Sequence, residues 1–361
     1  MVYNNGGFDF AICKGKPHYS HMPPHGLKNN YFRMLLSRHA AAFSYVWREV
    51  WPIIFRTGKR PVIFSRLTGM GDIICTIPAT RELMKRHPGA TFIYNCQADF
   101  AAVPQLAGVA DRITSLPDIG VVGHWYGFLL SGFYHFTHGD DRPDAGCQEP
   151  MVAEFLRQFN SPISEEHPTL PVTPAGQAKA LAVFTQKKLD VFGLILIHPG
   201  PSWPVREWPL DGWAKLVAEL RVRGFTNIGQ LGVGRYTNFG KVEVPLVPGA
   251  VSLIDAFTVE ECIAAIASAK LFIGIDSGLL HIAAATRTPA VGIFGMTRPE
   301  YRFSKAFRKS FISARIECAG CEHRKPRLHW VTGCPRDIRC MQEIEVDTVL
   351  KSVLNILGAS Q

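Results

Sequence analysis

LFIGIDSGLLHIAAATRTPAVGIFGMTRP, residues 271–299, alternates strand, turn, helix, strand and turn, and this alternation decides the fold. Leu271, Phe272 and Ile273 form a short apolar run, the pattern of a parallel strand covered on both faces. Gly274 to Gly278 breaks it. Leu279 to Thr286 is small and apolar, as a helix packed on a sheet would be, and Pro289 to Phe294 is the next strand, ended by Gly295. Asp276, Ser277 and Gly278 therefore stand at a strand's carboxyl end and a helix's amino end. Open α/β sheets bind ligands there, and the free N–H groups of a helix start attract phosphate. Taken alone, the same residues also fit a plain helix cap, in which Asp or Ser accepts a backbone N–H.

Working outward, 361 residues suffice for two domains, each with its own core. Hydrophobic residues make up 47% and charged residues 19%, which excludes a disordered chain. The net charge of +9 favours anionic partners: nucleotide phosphates, an anionic membrane surface or nucleic acid. No Lys/Arg block or aromatic RNA-binding signature is present, so nucleic acid is set aside. The first thirty residues lack the apolar core of a signal peptide. The longest apolar candidate, 263–294, is interrupted by Lys270, Asp276, His281 and Arg287. The expected location is the cytoplasm, with peripheral contact at the inner membrane. Of nine cysteines, Cys13, Cys75, Cys96, Cys147 and Cys262 are scattered and four cluster near the C-terminus, which suits a reducing compartment with one local cysteine site.

Residues 1–29, rich in Gly, Pro, His and Asn, read as an irregular arm. From Asn30 to Phe55 the spacing is helical, with Phe32, Leu35, Leu36, His39, Phe43, Val46, Trp47 and Val50 on one side and Arg33, Arg38 and Arg48 on another. This is either an ordinary core-packed helix, which Pro52 and the short length favour, or an aromatic, basic helix that rests on a membrane or binds an acceptor. Pro61 to Arg66 is a buried strand. A glycine-rich turn, Leu67 to Asp72, leads to a helix starting near Ile73, and Ala90 to Cys96 is the next strand, completing a β-α-β unit. Asp72 is either a helix cap or a general base. Residues 121–136 are aromatic and Gly-rich. The loop 138–144 lines an acceptor site or is a covered surface loop, and 161–174 is Pro-rich and reads as a linker. The second half again alternates: strand 192–197, loop 198–209, helix 210–223, strand 226–231, then 251–257 and helix 258–269. The expected organisation is an N-terminal extension over 1–58, an acceptor-binding domain over 59–172 and a nucleotide-sugar domain over 173–361, with a cleft between the last two.

Four stretches, in order, resemble glycosyltransferase family 9, the heptosyltransferases of lipopolysaccharide core and their relatives. They are RLTGMGDIICTIPATRELMKRHPGA (66–90), IHPGPSWPVREWP (197–209), GIDSGLLHIAAATRTPAVGIFGMTRP (274–299) and the C-terminal cysteine cluster. The resemblance implies a GT-B fold, two Rossmann-like α/β domains facing across a cleft, and an inverting, metal-independent transfer from an ADP-heptose-like donor. It makes Asp72 the catalytic base, with Thr68, Gly69, Met70 and Gly71 as the acceptor-side loop. Gly200, Pro201, Ser202 and Arg206 would meet the donor's phosphates, as would the helix start at Ser277, Gly278 and Leu279. His281 would reach phosphate or sugar, and Asp276 would bind sugar hydroxyls or hold the loop. One departure concerns GVGRYTN (232–238), which lacks the carboxylate that relatives use on the ribose. The first sixty residues also lie outside the family pattern.

Cys318, Cys321, Cys334 and Cys340 give C-x2-C-x12-C-x5-C, two pairs around a loop that suit tetrahedral thiolate ligation of a structural Zn or Fe. His323 or His329 would substitute for one thiol. Reduced thiols or adventitious disulfides in a basic loop are the alternative. Similar clusters bind iron in relatives that glycosylate proteins. The resulting reading is a transferase moving heptose from an ADP-sugar to a lipopolysaccharide-core or other glycan hydroxyl. A protein O-heptosyltransferase and a catalytically idle nucleotide-sugar-binding protein are the alternatives. No G-x-G-x-x-G follows the first strand, which argues against a dinucleotide oxidoreductase.

Overall fold

The computed structural model describes residues 27–139, 149–200, 204–234, 244–324 and 334–358. The chain divides into two compact units, one of residues 1–68 and 80–136, the other of 69–79 and 137–361. The α/β alternation read from the sequence holds in both, and each carries a wholly parallel sheet.

In the first unit, α1 (Leu27–Tyr45) passes through a π-turn (Val46–Val50) into α2 (Trp51–Thr57). Pro52 does not end the helix, because it sits at the start of α2 and the wide turn before it takes up the place where Pro has no N–H to give. Ala42, Tyr45, Val46, Val50 and Ile53 are buried with Ile63, Ile93 and Phe133. The strands are β1 (Val62–Ser65), β2 (Phe92–Asn95), β3 (Arg112–Thr114) and β4 (Gly132–His135), in the order β3-β2-β1-β4. They are joined by α3 (Met70–Lys85), α4 (Ala102–Leu106) and α5 (Gly120–Tyr126). The Gly-rich stretch 121–136 thus holds most of a helix and a strand. Gly123 is required there, since a Cβ would lie 2.7 Å from the Phe133 ring.

The second unit holds α6 (Met151–Gln158), α7 (Pro174–Gln186), β5 (Ile195–His198), α8 (Leu210–Val222), β6 (Ile228–Gly232), β7 (Val251–Ile254) and α9 (Val259–Ala267). After these come β8 (Leu271–Ile275), α10 (Gly278–Ala285), β9 (Ala290–Phe294), β10 (Ile312–Ser313), α11 (Cys321–Arg324), α12 (Arg339–Gln342) and α13 (Val346–Leu357). The sheet order is β10-β9-β8-β5-β6-β7. β5, β8 and β9 are buried along their whole length, as their continuous apolar runs demand. Trp213 is fully buried and meets Trp208 edge-on, while Trp208 Nε1–H donates to the Ile344 carbonyl at 3.0 Å. Burying one such ring stabilises by about 3 kcal/mol.

Two sequence readings change in physical detail. α3 begins at Met70, not near Ile73, because Gly69, with φ +82°, turns the chain and its carbonyl accepts the Ile73 N–H. The stretch 161–173 has no regular secondary structure and is largely exposed, but it is pinned at a few points. Ser161, His167 and Leu170 are buried, and the Leu170 N–H donates to the Ala285 carbonyl at the end of α10. Among the described residues, no helix is long and apolar enough to cross a membrane.

Candidate active site

β5 lies between β6 and β8, so the chain's path through the sheet reverses there, and ligands of open α/β sheets bind outside the strand ends at such a point. His198 at the end of β5 pairs with Gly274 in β8. Pro199–Gly200 and Asp276–Ser277 therefore leave the sheet side by side. Gly200 has φ +148°, and a Cβ there would lie 3.0 Å from Glu207 Oε1.

Asp276 is buried, with its Oδ2 3.4 Å from Arg206 Nη1 and 3.7 Å from Arg302 Nε. Burial alone would raise its carboxyl. Arg206 and Arg302, with His281 and Thr297 beside it, hold it below the usual carboxylate range. Two guanidiniums against one carboxylate leave excess positive charge, to which the start of α10 adds about half an elementary charge. Ser277 is the N-cap residue, in extended conformation, but its side chain makes no cap hydrogen bond. The Leu280 and His281 N–H groups return to the Ser277 carbonyl, and those of Gly278 and Leu279 precede the first intrahelical bonds. Arg206 Nε and Ser277 Oγ are buried at this corner without a hydrogen-bond partner, Asp276 Oδ2 has only its ion pairs, and Thr297 Oγ1 lies beside the Asp276 carboxylate. Native interiors seldom leave such groups unpaired, and beside a helix start they are available to an anionic ligand. The plain-cap reading of Asp276–Ser277 therefore fails at the level of side chains.

The start of α3 packs against the start of α10. A Cβ on Gly278 would lie 2.6 Å from Met70 Cε, and one on Gly71 would strike the His281 ring. Asp72 stands in the first turn of α3, its carboxylate folded over Gly69 and 3.4 Å from His138 Nε2. His138, buried edge-on against Phe155, follows β4, and β4 neighbours β1, whose end leads to Asp72. His281 is buried; its Nδ1 lies 2.9 Å from His167 Nε2 and 3.5 Å from Cys75 Sγ. Burial lowers its pKa to about 4, against the opposing pull of Asp276 and Asp72. Phe303 stacks on both imidazoles, with ring centres 4.4 Å from His281 and 4.9 Å from His167.

The structure thus draws together Gly69, Met70, Gly71, Asp72, Arg206, Asp276, Ser277, Gly278 and His281. Thr68 ends the first of the two segments that make up the first unit. Pro201 and Ser202 lie outside the described residues, as do 1–26, 140–148, 235–243 and His329. Sequence reasoning placed His138 only within a loop that lines an acceptor site or is a surface loop, missed His167, Thr297, Arg302 and Phe303, and left Cys75 among the scattered thiols. Thr297 lay within a quoted motif and carried a signal; His167, inside an apparent linker, carried none. Beside the turn that lacks a carboxylate, Asp255, at φ +57° after β7, accepts the Gly234 N–H at 3.1 Å.

Cys318, Cys321, Cys334 and Cys340 are free thiols lining one cavity of about 340 Å³ with Val205 and Met296. Burial and the neighbouring sulfurs push Cys321 up to about 11 and Cys340 up to about 12. This loop holds the segment that carries Thr297: Gly320 N–H donates to the Gly295 carbonyl, Glu322 N–H to the Met296 carbonyl, and Arg298 N–H to His323 Nε2. His323 Nε2 is thereby occupied.

A sequence profile described as glycosyltransferase family 9 (heptosyltransferase) matches residues 129–331. The chain belongs to glycosyltransferase family 9. It is 21% identical over 307 residues to lipopolysaccharide heptosyltransferase 1 of Pseudomonas aeruginosa, covering 72% of this chain and 85% of that one. Its fold resembles that of E. coli ADP-heptose lps heptosyltransferase II, with a TM-score of 0.58 at 14% identity, covering 82% of this chain and 98% of that one. It equally resembles TibC of enterotoxigenic E. coli, an iron-containing dodecameric glycosyltransferase, with a TM-score of 0.59 at 17% identity, covering 83% and 79%. TibC has also been solved with ADP-D-beta-D-heptose. This family 9 glycosyltransferase has the GT-B class of fold, built from two Rossmann-like units.

Proposed function

We propose that this glycosyltransferase moves a heptose, or a closely related sugar, from an ADP-sugar to a hydroxyl of a lipopolysaccharide-core or other glycan acceptor, with inversion. The observation that carries the reading is the start of α10, where Arg206 Nε and Ser277 Oγ are buried without a partner and Asp276 is held between Arg206 and Arg302. A diphosphate offers acceptors to the Arg206 and hydroxyl donors and to the N–H groups of Gly278 and Leu279. A sugar hydroxyl offers a donor to Asp276. Asp276 also holds two guanidiniums, so its charge orients them and does not simply repel the donor.

Asp72 accepts the proton of the acceptor hydroxyl as that oxygen attacks the anomeric carbon and the bond to the diphosphate breaks. His138 orients the carboxylate. Charge developing on the leaving diphosphate meets Arg206, Arg302 and the helix start, so positive charge and N–H donors stabilise departure. His281 adds an imidazole beside the sugar and phosphates, and Asp255 supplies the carboxylate absent from 232–238, a group that binds ribose hydroxyls in related α/β sites.

The four C-terminal thiols fit a structural Zn or Fe by donor type, and by tying down residues 295–298 such an ion would stiffen the donor corner. A protein hydroxyl is the second acceptor reading, and it rests on the likeness of the C-terminal cysteine pattern, read from the sequence, to that of relatives that glycosylate proteins. Peripheral attachment to an anionic membrane is supported by the outer face of α1 and α2. Phe43, Trp47, Trp51 and Phe55 form a row of touching rings, largely exposed at Phe43, Trp47 and Phe55, with Arg48 and Arg56 alongside.

The test is transfer and donor hydrolysis with ADP-heptose, comparing the wild type with Asp72→Ala. A wild type that neither binds nor turns over any nucleotide-sugar overturns the reading. One that binds donor but never cleaves it supports the idle-binder alternative.

A further inference from the structure

We propose that Cys75, His167 and His281 form a buried site for a single Zn²⁺ ion, held by Cys75 Sγ, His167 Nε2 and His281 Nδ1. The three atoms come from α3, the irregular stretch after α6 and the first turns of α10, and all three residues are buried. Among the described residues, only this group brings three such ligand atoms within 4.8 Å of one another. The C-terminal thiols stand more widely around their cavity.

The spacing suits one tetrahedral ion. Zinc–sulfur and zinc–nitrogen bonds of ordinary length put ligand sulfur and nitrogen about 3.6 Å apart, and two nitrogens about 3.4 Å apart. The observed separations are 3.5 and 3.7 Å from sulfur to the two nitrogens and 2.9 Å between the nitrogens. Only the nitrogen pair must part slightly to admit the ion.

One thiol hydrogen and one imidazole hydrogen can bridge these three atoms as a hydrogen-bonded cluster, which is the alternative to an ion. A cation at the centre meets all three lone pairs. One thiolate with two imidazoles is a donor set for Zn²⁺ and not for Ca²⁺ or Mg²⁺, which want oxygen. Binding releases the thiol proton to solvent. The Phe303 ring, stacked on both imidazoles, fixes their planes.

The ion would bind His281 through Nδ1 and leave Nε2–H as the only form of that ring, a fixed donor beside Asp276 and the start of α10. That consequence rests on the donor-site reading above; the metal site itself does not.

The experiment is metal analysis of the full-length protein purified without added metal and after Zn²⁺ refilling and dialysis, followed by Co²⁺ substitution. The variants are Cys75→Ser, His167→Gln and, separately, Cys318→Ser with Cys321→Ser, each checked for folding by circular dichroism. Wild type is expected to hold about one ion per chain more than Cys75→Ser or His167→Gln. The variant lacking the C-terminal pair retains an ion whose Co²⁺ spectrum shows single-thiolate ligation. Equal metal content and equal Co²⁺ spectra in wild type, Cys75→Ser and His167→Gln would overturn the site and leave a hydrogen-bonded cluster. Zinc binding is read without any transfer assay, so failure of the site and failure of the transferase reading are separable.

Discussion

The Asp72 carboxylate lies 3.4 Å from His138 Nε2, and the two residues reach each other from the ends of neighbouring strands β1 and β4. A carboxylate in a helix's first turn is usually a cap. Here it folds over Gly69 and faces a buried imidazole, the arrangement of an oriented base. Asp72→Asn keeps the shape and removes the basicity. It is expected to lower kcat by about 10² to 10⁴ while the KM for donor stays near the wild-type value. His138→Gln is expected to cost about tenfold and to alter the pH profile of kcat. Steady-state kinetics with ADP-heptose decide it; an unchanged kcat in Asp72→Asn removes Asp72 from the base role.

The unpartnered Ser277 hydroxyl supplies a test that separates binding from folding. Ser277→Ala deletes a buried hydroxyl that makes no cap hydrogen bond. Stability is expected to hold or to rise by about 1 kcal/mol, while donor affinity falls roughly tenfold. Arg206→Lys keeps the charge but loses the guanidinium fork, and kcat/KM for donor should fall by about 10 to 100-fold. Calorimetric titration with ADP, beside chemical denaturation, measures both. A destabilised Ser277→Ala with normal ADP affinity would mean that the hydroxyl serves the fold.

His198 sets an acid limit on stability. It is buried at the end of β5, its Nδ1–H donates to the Leu231 carbonyl at 3.2 Å, and burial lowers its pKa to about 4. Unfolded, it titrates near 6.5. Between these values the unfolded chain binds the extra proton, so stability rises with pH across that window and is lost as pH falls from about 6.5 toward 4. This one residue contributes about 3 kcal/mol, fully present above pH 6.5. Urea midpoints at pH 7.5 and pH 5 should differ in that direction, and His198→Gln should flatten part of the difference. A slope equal to the wild type's in His198→Gln would contradict the assignment.

The aromatic row on α1 and α2 is expected to bind anionic bilayers. Trp47→Ser with Phe55→Ser leaves the buried face of these helices untouched, since both side chains are more than half exposed. The double variant should remain folded and lose most of its co-sedimentation with phosphatidylglycerol vesicles. Wild-type binding should weaken as salt rises, because Arg48 and Arg56 share the work. Wild-type protein that stays in the supernatant at low salt sinks the membrane reading.

Much of this protein was legible in the chain itself. The apolar runs Val62–Phe64, Ile195–Ile197, Leu271–Ile273 and Ala290–Phe294 are local properties, and a parallel strand buried on both faces has no other way to be written. The turns after them, with Asp72, Gly200, Arg206, Asp276 and Ser277, follow from where each strand ends. Strand β4 was hidden because Gly123, Gly127 and Gly132 break the periodicity that marks an element. The rest depended on contacts between residues far apart in sequence. His167 stands 114 residues from His281, and Cys75 stands 206 from it, so no spacing rule joins them. Arg302 meets Asp276 only because the chain after β9 turns back over α10. Sequence determined which strands exist and which loops carry polar groups, because period and turn chemistry act within a few residues. Tertiary structure alone decided which of those groups face one another, which imidazoles lose their water, and which hydroxyl is left with nothing to bind.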